Sequence, residues 1–142
     1  MDNSDTALAG NCHCGAMSVT VPEEPVATFF CHCQTCQKVS GSPFSVELMC
    51  PDAGFEAKGD AAVYTVSGDS GSAVHRYSCA KCGSGVYLTC DSDPGYIFLK
   101  AGALDESVKV KPEMHIFTAH MQPWVKMDDG LPRFEGMPPA EG

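Results

Sequence analysis

The chain has 142 residues, of which 44% are hydrophobic and 19% are charged, and its formal net charge is -9. This composition is typical of one globular domain with its own core, and the excess of acidic residues disfavours binding to nucleic acid or to an anionic membrane. No apolar run approaches the roughly 20 residues of a membrane-spanning helix, and the first residues lack a basic and apolar leader. We therefore expect a cytoplasmic protein without a nucleic-acid or membrane partner.

The predicted elements start after a small, polar N-terminal segment. Residues 1–10 are expected to be a flexible tail, and residues 11–142 to form a single zinc-binding domain. Between residues 17 and 21, apolar and polar side chains alternate with the period of a β-strand. Similar strands are predicted at 26–30, 44–49, 62–66, 73–77, 86–89 and 96–99. One helical turn is predicted at 34–39.

The C-terminal part of the chain is rich in proline, and Pro123, Pro132, Pro138 and Pro139 all follow Gln122. Proline has no amide hydrogen and ends helices, so this part is expected to wrap irregularly over a sheet. Short strands separated by turn residues, with few and short helical turns, predict a mainly β fold of antiparallel sheets.

Nine cysteines are many for a chain of this length. A secreted disulfide framework usually has an even number of cysteines and follows a signal peptide, and this sequence has neither feature. In a reducing compartment, cysteines are better interpreted as metal ligands with some buried thiols beside them. Seven of the nine fall in three close clusters, which favours metal binding over disulfides.

Two of these clusters are close cysteine pairs that are each followed by glycine. Cys12 and Cys14 form the first pair, and Cys79 and Cys82 form the second. A turn between two cysteines lets both thiolates reach one ion, and the glycine relieves crowding of the backbone. Since a structural zinc site takes four closed ligands, the simplest pairing is one zinc held by all four cysteines. The alternative is four buried thiols without a metal.

The remaining cluster places three cysteines within six residues: Cys31, Cys33 and Cys36. Three protein ligands leave a fourth position on zinc open for water or substrate, as in catalytic sites. Because zinc prefers sulfur and lowers the pKa of a bound thiol, this cluster predicts capture of an external thiol at a second zinc. The alternative is a closed, structural site in which His32, Cys50 or Cys90 supplies the fourth ligand.

Three segments of the chain resemble the signature of one known family. They are residues 10–16, residues 31–38 with 40–44, and residues 76–84. The likeness continues at 101–105, Pro112, 115–117, Trp124, 128–132 and Phe134. On these residues the chain resembles the glutathione-dependent formaldehyde-activating enzymes, a family that also includes a domain of centromere protein V.

The resemblance implies a fold, a metal content and an activity. The implied fold is a zinc-stapled set of antiparallel sheets, called a β-tent. A structural zinc is expected on Cys12, Cys14, Cys79 and Cys82, and a second zinc on Cys31, Cys33 and Cys36, where glutathione is expected to bind. The implied activity is the addition of glutathione to formaldehyde to give S-hydroxymethylglutathione, formally the reverse of a carbon–sulfur lyase.

This reaction needs a thiolate, a donor for the developing alkoxide, and cations that hold glutathione. A thiolate bound or activated at the second zinc would attack the aldehyde carbon. The donor for the alkoxide is expected to be zinc, a backbone amide of residues 40–42, or Lys38. By residue type, the cations that could hold the glutathione carboxylates are Lys38, Arg76 and Lys100. Lys38 is the predicted ligand-binding residue.

The remaining histidines and cysteines near these motifs are expected to play supporting roles. His13 and His32 lie between zinc-ligand cysteines and are expected to support them rather than to bind metal. His115 lies in an apolar stretch and is expected to be a satisfied buried histidine rather than a base. Cys50 and Cys90 are expected to be small buried side chains.

Trp124, the sole tryptophan, is expected to anchor the core.

Two other functions stay open beside the enzyme. One is a non-catalytic, zinc-stabilised binding module whose second site is closed or empty. The other is a thiol-based redox or metal-storage protein that loses zinc on oxidation. The sequence makes no prediction of the oligomeric state.

Overall fold

Short β-strands carry most of the regular structure in the computed structural model, which describes residues 7–68, 71–106 and 110–138. The strands are β1 (Leu8–Asn11), β2 (Ser18–Val21), β3 (Ala27–Cys31), β4 (Ser45–Pro51), β5 (Glu56–Lys58), β6 (Ala61–Ser67), β7 (Ala73–Cys79), β8 (Gly85–Cys90), β9 (Tyr96–Lys100) and β10 (Met114–Ile116). One α-helix, α1 (Gln34–Ser40), and short 3-10 turns at Ala101–Ala103 and Thr118–His120 complete the regular elements of these ranges. The prediction of a mainly β fold is confirmed.

The strands form two sheets. One sheet has three strands in the order β1-β2-β5, and the other has seven in the order β10-β3-β4-β9-β8-β7-β6. Neighbouring strands run antiparallel except β10 and β3, which pair in parallel. The prediction of antiparallel sheets therefore needs one correction. It arises because β10 returns to the edge of the sheet from far along the chain instead of through a hairpin.

The predicted strands and the helical turn all form, and three further strands were missed. Two of these, β5 and β10, have only three residues each, too few to show a period. The third, β1, lies largely within the predicted tail. That prediction is wrong for residues 8–10, because Leu8 is buried in the core and β1 pairs with β2. Residues 1–6 of the predicted tail lie outside the described residues.

Two clusters of buried side chains lie on opposite faces of the seven-stranded sheet. In β4 and β9, side chains alternate between the clusters with the period of a strand. Leu48 and Leu99 belong to the first cluster, and Phe98 belongs to the second. The first cluster also holds Leu8, Val19 and Val21 from the three-stranded sheet, together with Cys12 and Cys79. The second holds Phe29, Leu88 and Ile116, together with Cys31 and Cys36. Each cysteine group is thus anchored in its own part of the core.

Gly59, between β5 and β6, permits a close approach to the first cysteine pair. Its φ is +97°, and a Cβ atom at this position would overlap the carbonyl group of Ala16, two residues after Cys14. Only glycine can take this conformation at so short a distance from another backbone.

In the described residues, no helix has the length and apolar character needed to cross a membrane.

Candidate functional site

The two cysteine pairs lie on turns with closely similar hydrogen bonding. The amide of Cys12 donates to the carbonyl of Met17, and the amide of Cys79 donates to that of Ser84, both over 2.9 Å. In each turn the glycine after the second cysteine has a φ of 81°. Because glycine adopts positive φ without steric cost, both turns can fold tightly around a pair of sulfur atoms.

The structure brings the sulfur atoms of Cys12, Cys14, Cys79 and Cys82 to within 4.8 Å of one another. The Sγ atom of Cys14 lies 3.6 Å from that of Cys12 and 3.8 Å from that of Cys79. Four thiolates around a tetrahedral zinc, with Zn–S near 2.3 Å, would be separated by about 3.8 Å. The spacing therefore fits zinc, and these are the four cysteines that the sequence pairs.

Backbone amides point at these sulfur atoms. The amide of Met17 donates to the Sγ atom of Cys12 over 3.2 Å, and the amides of Lys81 and Cys82 donate to that of Cys79 over 3.3 and 3.4 Å. Hydrogen bonds of this kind stabilise thiolates rather than thiols. The donor set thus suits a metal that requires deprotonated sulfur.

The second cysteine group forms where β3 runs into α1. Cys31 ends β3, Cys33 is the N-cap of α1, and Cys36 lies in its first turn. The amide of Cys36 donates to the Sγ atom of Cys33 over 3.2 Å, so a thiol here replaces the oxygen of an ordinary N-cap. Gly41 ends the helix with a φ of 69°. Capping at both ends fixes the two helical cysteines against the last residue of β3.

The three sulfur atoms of this group also lie within 4.8 Å of one another, and those of Cys31 and Cys36 are only 3.3 Å apart. Hydrogen bonds from the Cys31 and Cys36 thiols lower the pKa of Cys33 to about 3. Hydrogen bonds with Cys33 and Cys36 raise the pKa of Cys31, and burial raises it further. One thiolate is therefore stable without a cation, whereas three thiolates at this distance require one, as zinc would provide.

A fourth ligand atom from the protein does not join this group in the described part of the chain. His32 turns away from it and bonds to His115 instead. Cys50 is fully buried in the first core cluster, and Cys90 packs against the second cluster without entering the ligand group. The arrangement fits an open site better than the closed alternative.

Glu47 is a buried charged residue beside this group that sequence reasoning missed. Only 4% of it is exposed, and its Oε2 atom lies 3.9 Å from the Sγ atom of Cys36. Burial raises the pKa of Glu47, and the charge of Lys100 opposes that shift. Glu47 and Lys100 face each other directly across β4 and β9. That cross-strand register could not be read from the spacing of the two residues.

Lys100 already forms an ion pair with the buried Glu47. Its Nζ atom donates to Glu47 Oε2 over 2.6 Å and to Ser45 Oγ over 2.7 Å. The expectation that Lys100 holds a glutathione carboxylate is therefore corrected, because the ammonium group already has buried partners.

Arg76 approaches the second cysteine group from β7. Its Nη2 atom lies 3.9 Å from the Sγ atom of Cys36. Its Nε and Nη1 atoms are buried and have no hydrogen-bond partner among the described residues. In the sheet, Arg76 lies opposite Leu88, a member of the second core cluster, which places it on the same face as Cys31 and Cys36.

A buried chain of hydrogen bonds lies behind the second cysteine group. The Nε2 atom of His115 lies 2.8 Å from Asp129 Oδ2, and its Nδ1 atom lies 2.9 Å from the Nε2 atom of His32. A carboxylate only accepts, so the Nε2 atom of His115 is the donor to Asp129. His115 is buried and satisfied, as the sequence predicts, and His32 has a supporting role. The Nδ1 atom of His32 is buried and has no partner in the described residues.

A cavity of about 470 Å³ lies on the side of α1 that faces away from the second cysteine group. Gln37, Lys38, Gln122 and Trp124 contribute to its lining, and none of the three cysteines does. Lys38 is exposed at this cavity, and its ligand-binding role stays a prediction. Trp124 is 65% exposed, so the expectation that it anchors the core is wrong. The proline-rich segment keeps its ring at the surface, where Gln122 Nε2 donates to Gln37 Oε1.

Comparison with known proteins agrees with this geometry. Residues 7–120 match the model of a family described as glutathione-dependent formaldehyde-activating enzyme. The chain belongs to this family. The match spans most of the chain, including both cysteine groups, Glu47, Arg76 and Lys100, and it confirms the resemblance seen in the sequence.

One curated protein and one solved structure are similar to this chain. A protein of Halomonas elongata, provisionally named as a glutathione-dependent formaldehyde-activating enzyme, is 24% identical over 136 residues, covering 85% of this chain and 81% of its own length. A crystal structure of a Rhodobacter sphaeroides protein superposes with a TM-score of 0.54 at 16% identity. It covers 88% of this chain and 98% of its own, and this likeness concerns the fold alone.

Proposed function

We propose that this protein binds zinc at both cysteine groups and catalyses the addition of glutathione to formaldehyde, giving S-hydroxymethylglutathione. The observation that carries the proposal is the convergence of three thiols, Cys31, Cys33 and Cys36, without a fourth protein ligand among the described residues. The family match supports glutathione and formaldehyde as the reactants. The reaction is formally the reverse of a carbon–sulfur lyase.

The first cysteine group has a structural role in this proposal. Cys12 and Cys14 follow β1, whereas Cys79 ends β7, so a metal held by both pairs links the two sheets. Four sulfur ligands leave no position for a substrate.

The second cysteine group is the reaction site. Zinc bound there would act as a Lewis acid that favours the thiolate form of an incoming thiol. The N-cap position of Cys33 and the buried positions of Cys31 and Cys36 hold the three sulfur atoms in place. Glu47 and Lys100 form a neutral pair beneath them, so the positive charge of Arg76 is available to the site.

The cavity beside α1 suits the peptide part of glutathione. Its lining supplies amide groups from Gln37 and Gln122 and one cation, Lys38. A cation is needed locally, since the chain has a net charge of -9 and glutathione is an anion. Lys38 would pair with one of its carboxylates.

All nine cysteines are free thiols in the structure. This supports a reducing compartment, and we propose the cytoplasm as the location of the protein. We keep the expectation that neither nucleic acid nor a membrane is a partner.

The test is the exchange of carbon-13 formaldehyde between its hydrate and the glutathione adduct, followed by NMR. Because the adduct also forms without an enzyme, acceleration above the spontaneous exchange rate is the readout. The zinc-loaded protein should accelerate exchange, Cys36→Ser should reduce it to the spontaneous rate, and Cys50→Ala should retain it because Cys50 lies in the other core cluster. Full acceleration by a folded Cys36→Ser variant would refute the site. Two bound zinc ions without any acceleration by the wild type would favour the non-catalytic binding module.

A further inference from the structure

We infer that Arg76 is a catalytic residue that donates hydrogen bonds to the aldehyde oxygen as that oxygen becomes an alkoxide. The inference rests on the proposed function and adds to it the group that stabilises the developing charge. It starts from the position of the guanidinium group, which lies beside the second cysteine group and is partly unpaired.

The hydrogen-bond partners of Arg76 are incomplete. Its Nη2 atom faces the sulfur of Cys36 at 3.9 Å, whereas Nε and Nη1 are buried and unpartnered in the described residues. Buried donors of a charged group are costly when they are left unpaired, and native proteins rarely leave them so. Two unpartnered nitrogens of a guanidinium group beside Cys36, a proposed zinc ligand, are suited to a ligand that carries negative charge on oxygen.

The other protein groups that could donate to the alkoxide, beside a bound zinc, are already engaged or face elsewhere. The amide of Gly41 donates to Gln37 and that of Ser42 donates to the hydroxyl of Ser40. The Nζ atom of Lys100 is bonded to Glu47 and Ser45.

Lys38 is also poorly placed for this task. It lines the cavity beside α1, which none of the three cysteines lines. It follows Cys36 by two positions, so the two side chains leave the helix in widely different directions. Arg76 is therefore the cation with unpaired donors next to the sulfur atoms.

The chemistry matches a donor at this position. The thiol first loses its proton to solvent, and the electron pair of the thiolate sulfur forms a bond to the aldehyde carbon. The carbon–oxygen π bond breaks, and its electron pair moves to oxygen, where Arg76 stabilises the negative charge. Water then protonates the alkoxide to give the hydroxymethyl thioether. Protons and electrons balance without an oxidant or reductant.

The oxygen of the adduct is a closer match to Arg76 than a glutathione carboxylate is. A single carbon atom separates that oxygen from the reacting sulfur, whereas both carboxylates of glutathione are many bonds further away. A guanidinium 3.9 Å from a ligand sulfur is thus better placed for the aldehyde oxygen. The assignment replaces the expectation that Arg76 holds a carboxylate.

The kinetic arm of the test uses zinc-loaded Arg76→Gln and Arg76→Lys, with Arg133→Lys as the matched control. Arg133 is exposed and donates to the carbonyl of Met127. Arg76→Gln should lower kcat about 100- to 1,000-fold, leave zinc content and glutathione affinity unchanged, and be partly rescued in Arg76→Lys. Loss of glutathione affinity at unchanged kcat would overturn the inference in favour of carboxylate binding. Loss of the second zinc would overturn it in favour of a structural role.

A spectroscopic arm makes the result independent of turnover and of the stability of the variants. The chain has two arginines, Arg76 and Arg133, so a ¹H–¹⁵N spectrum resolves two Nε–H groups that Arg133→Lys assigns. Formaldehyde added to the glutathione-loaded wild type should shift the Arg76 signal. Glutathione added alone should not shift the Arg76 signal comparably, and the Arg133 signal should stay constant under both additions. A constant Arg76 signal would contradict the inference. If the wild type does not accelerate adduct formation, the proposed function fails and the catalytic role of Arg76 fails with it, whereas full acceleration with a constant Arg76 signal overturns the inference alone.

Discussion

At the scale of single residues, His32 illustrates how burial fixes a protonation state. It is completely buried, and its ring bonds to His115, which in turn bonds to Asp129. Burial lowers the pKa of His32 to about 4, with the charges of His115 and Arg133 contributing. The imidazole is therefore neutral in the folded protein at neutral pH, and its hydrogen bonds hold the chain between two of the cysteines in place.

This shift predicts a pH dependence of stability. Between pH 6.5 and pH 4 the unfolded chain binds a proton at His32 that the folded protein excludes, so the free energy of unfolding falls as pH falls. The stability advantage of the wild type over His32→Phe should shrink by up to about 1.4 kcal/mol per pH unit across this window. Urea unfolding of both zinc-loaded proteins from pH 4.5 to pH 7 measures it. Parallel pH profiles would show that His32 is not held neutral.

The cysteines outside the two metal groups should be chemically inert. Burial raises the pKa of Cys50 to about 12 and that of Cys90 to about 11. Relative to the ordinary thiol value of 9.0, thiolate formation and alkylation at pH 7.5 should be roughly 1,000-fold slower for Cys50 and 100-fold slower for Cys90. Mass spectrometry after timed iodoacetamide treatment of the zinc-loaded protein tests this, with the urea-unfolded protein as control. Rapid oxidation of Cys90 that releases zinc would favour the redox alternative instead.

At the scale of elements, the turn between β5 and β6 should control the first metal site. Gly59→Ala places a methyl group against the backbone of Ala16, whereas Gly95→Ala meets no atom within 4 Å. Both glycines have a similar positive φ, 97° and 88°, so the cost of about 1 kcal/mol for a left-handed alanine is shared. Gly59→Ala should lose about 2 kcal/mol more in the free energy of unfolding.

Two measurements separate the effects of these glycine variants. Chemical unfolding compares their stabilities, and competition with a chelator compares their zinc affinities. Only Gly59→Ala should release the first zinc more readily, because Ala16 lies next to the turn that carries Cys14. Equal values for the two variants would mean that the close approach does not constrain the metal site.

Much of the strand pattern could be predicted, because a pattern over roughly four to eight residues identifies a strand without knowledge of its neighbours. The β1 strand was missed because its pairing with β2 depends on burial of Leu8, and small residues beside it look like a tail. The parallel pairing of β10 with β3 is set by contacts far apart in sequence, which no local pattern encodes.

The candidate site divides in the same way. The two cysteine groups could be predicted because close spacing itself brings the sulfur atoms together. Glu47 meets Cys36 only through the placement of α1 over β4, and His115 meets His32 only through the pairing of β10 with β3. The surface position of Trp124 likewise follows from the path of an irregular segment, and the amino-acid composition of such a segment does not predict its path.

At the scale of the whole molecule, the proposed function gives the two cysteine groups separate roles, structural for the first and chemical for the second, on opposite faces of the large sheet. A metal ion held by the four sulfur atoms of the first group would join both sheets. The second lies over the charged side chains of Glu47, Lys100 and Arg76, and no fourth ligand atom joins its three sulfur atoms in the described chain. The proposed function requires zinc at both groups and a thiol-accessible position at only one.

Zinc content combined with X-ray absorption at the zinc edge, with and without glutathione, tests this requirement most directly. We expect two zinc ions per chain in the wild type and one in either Cys36→Ser or Cys82→Ser. In the wild type, glutathione should add a sulfur ligand, and this addition should be absent from Cys36→Ser and retained by Cys82→Ser. A single zinc in the wild type, or a sulfur coordination that glutathione leaves unchanged, would contradict it.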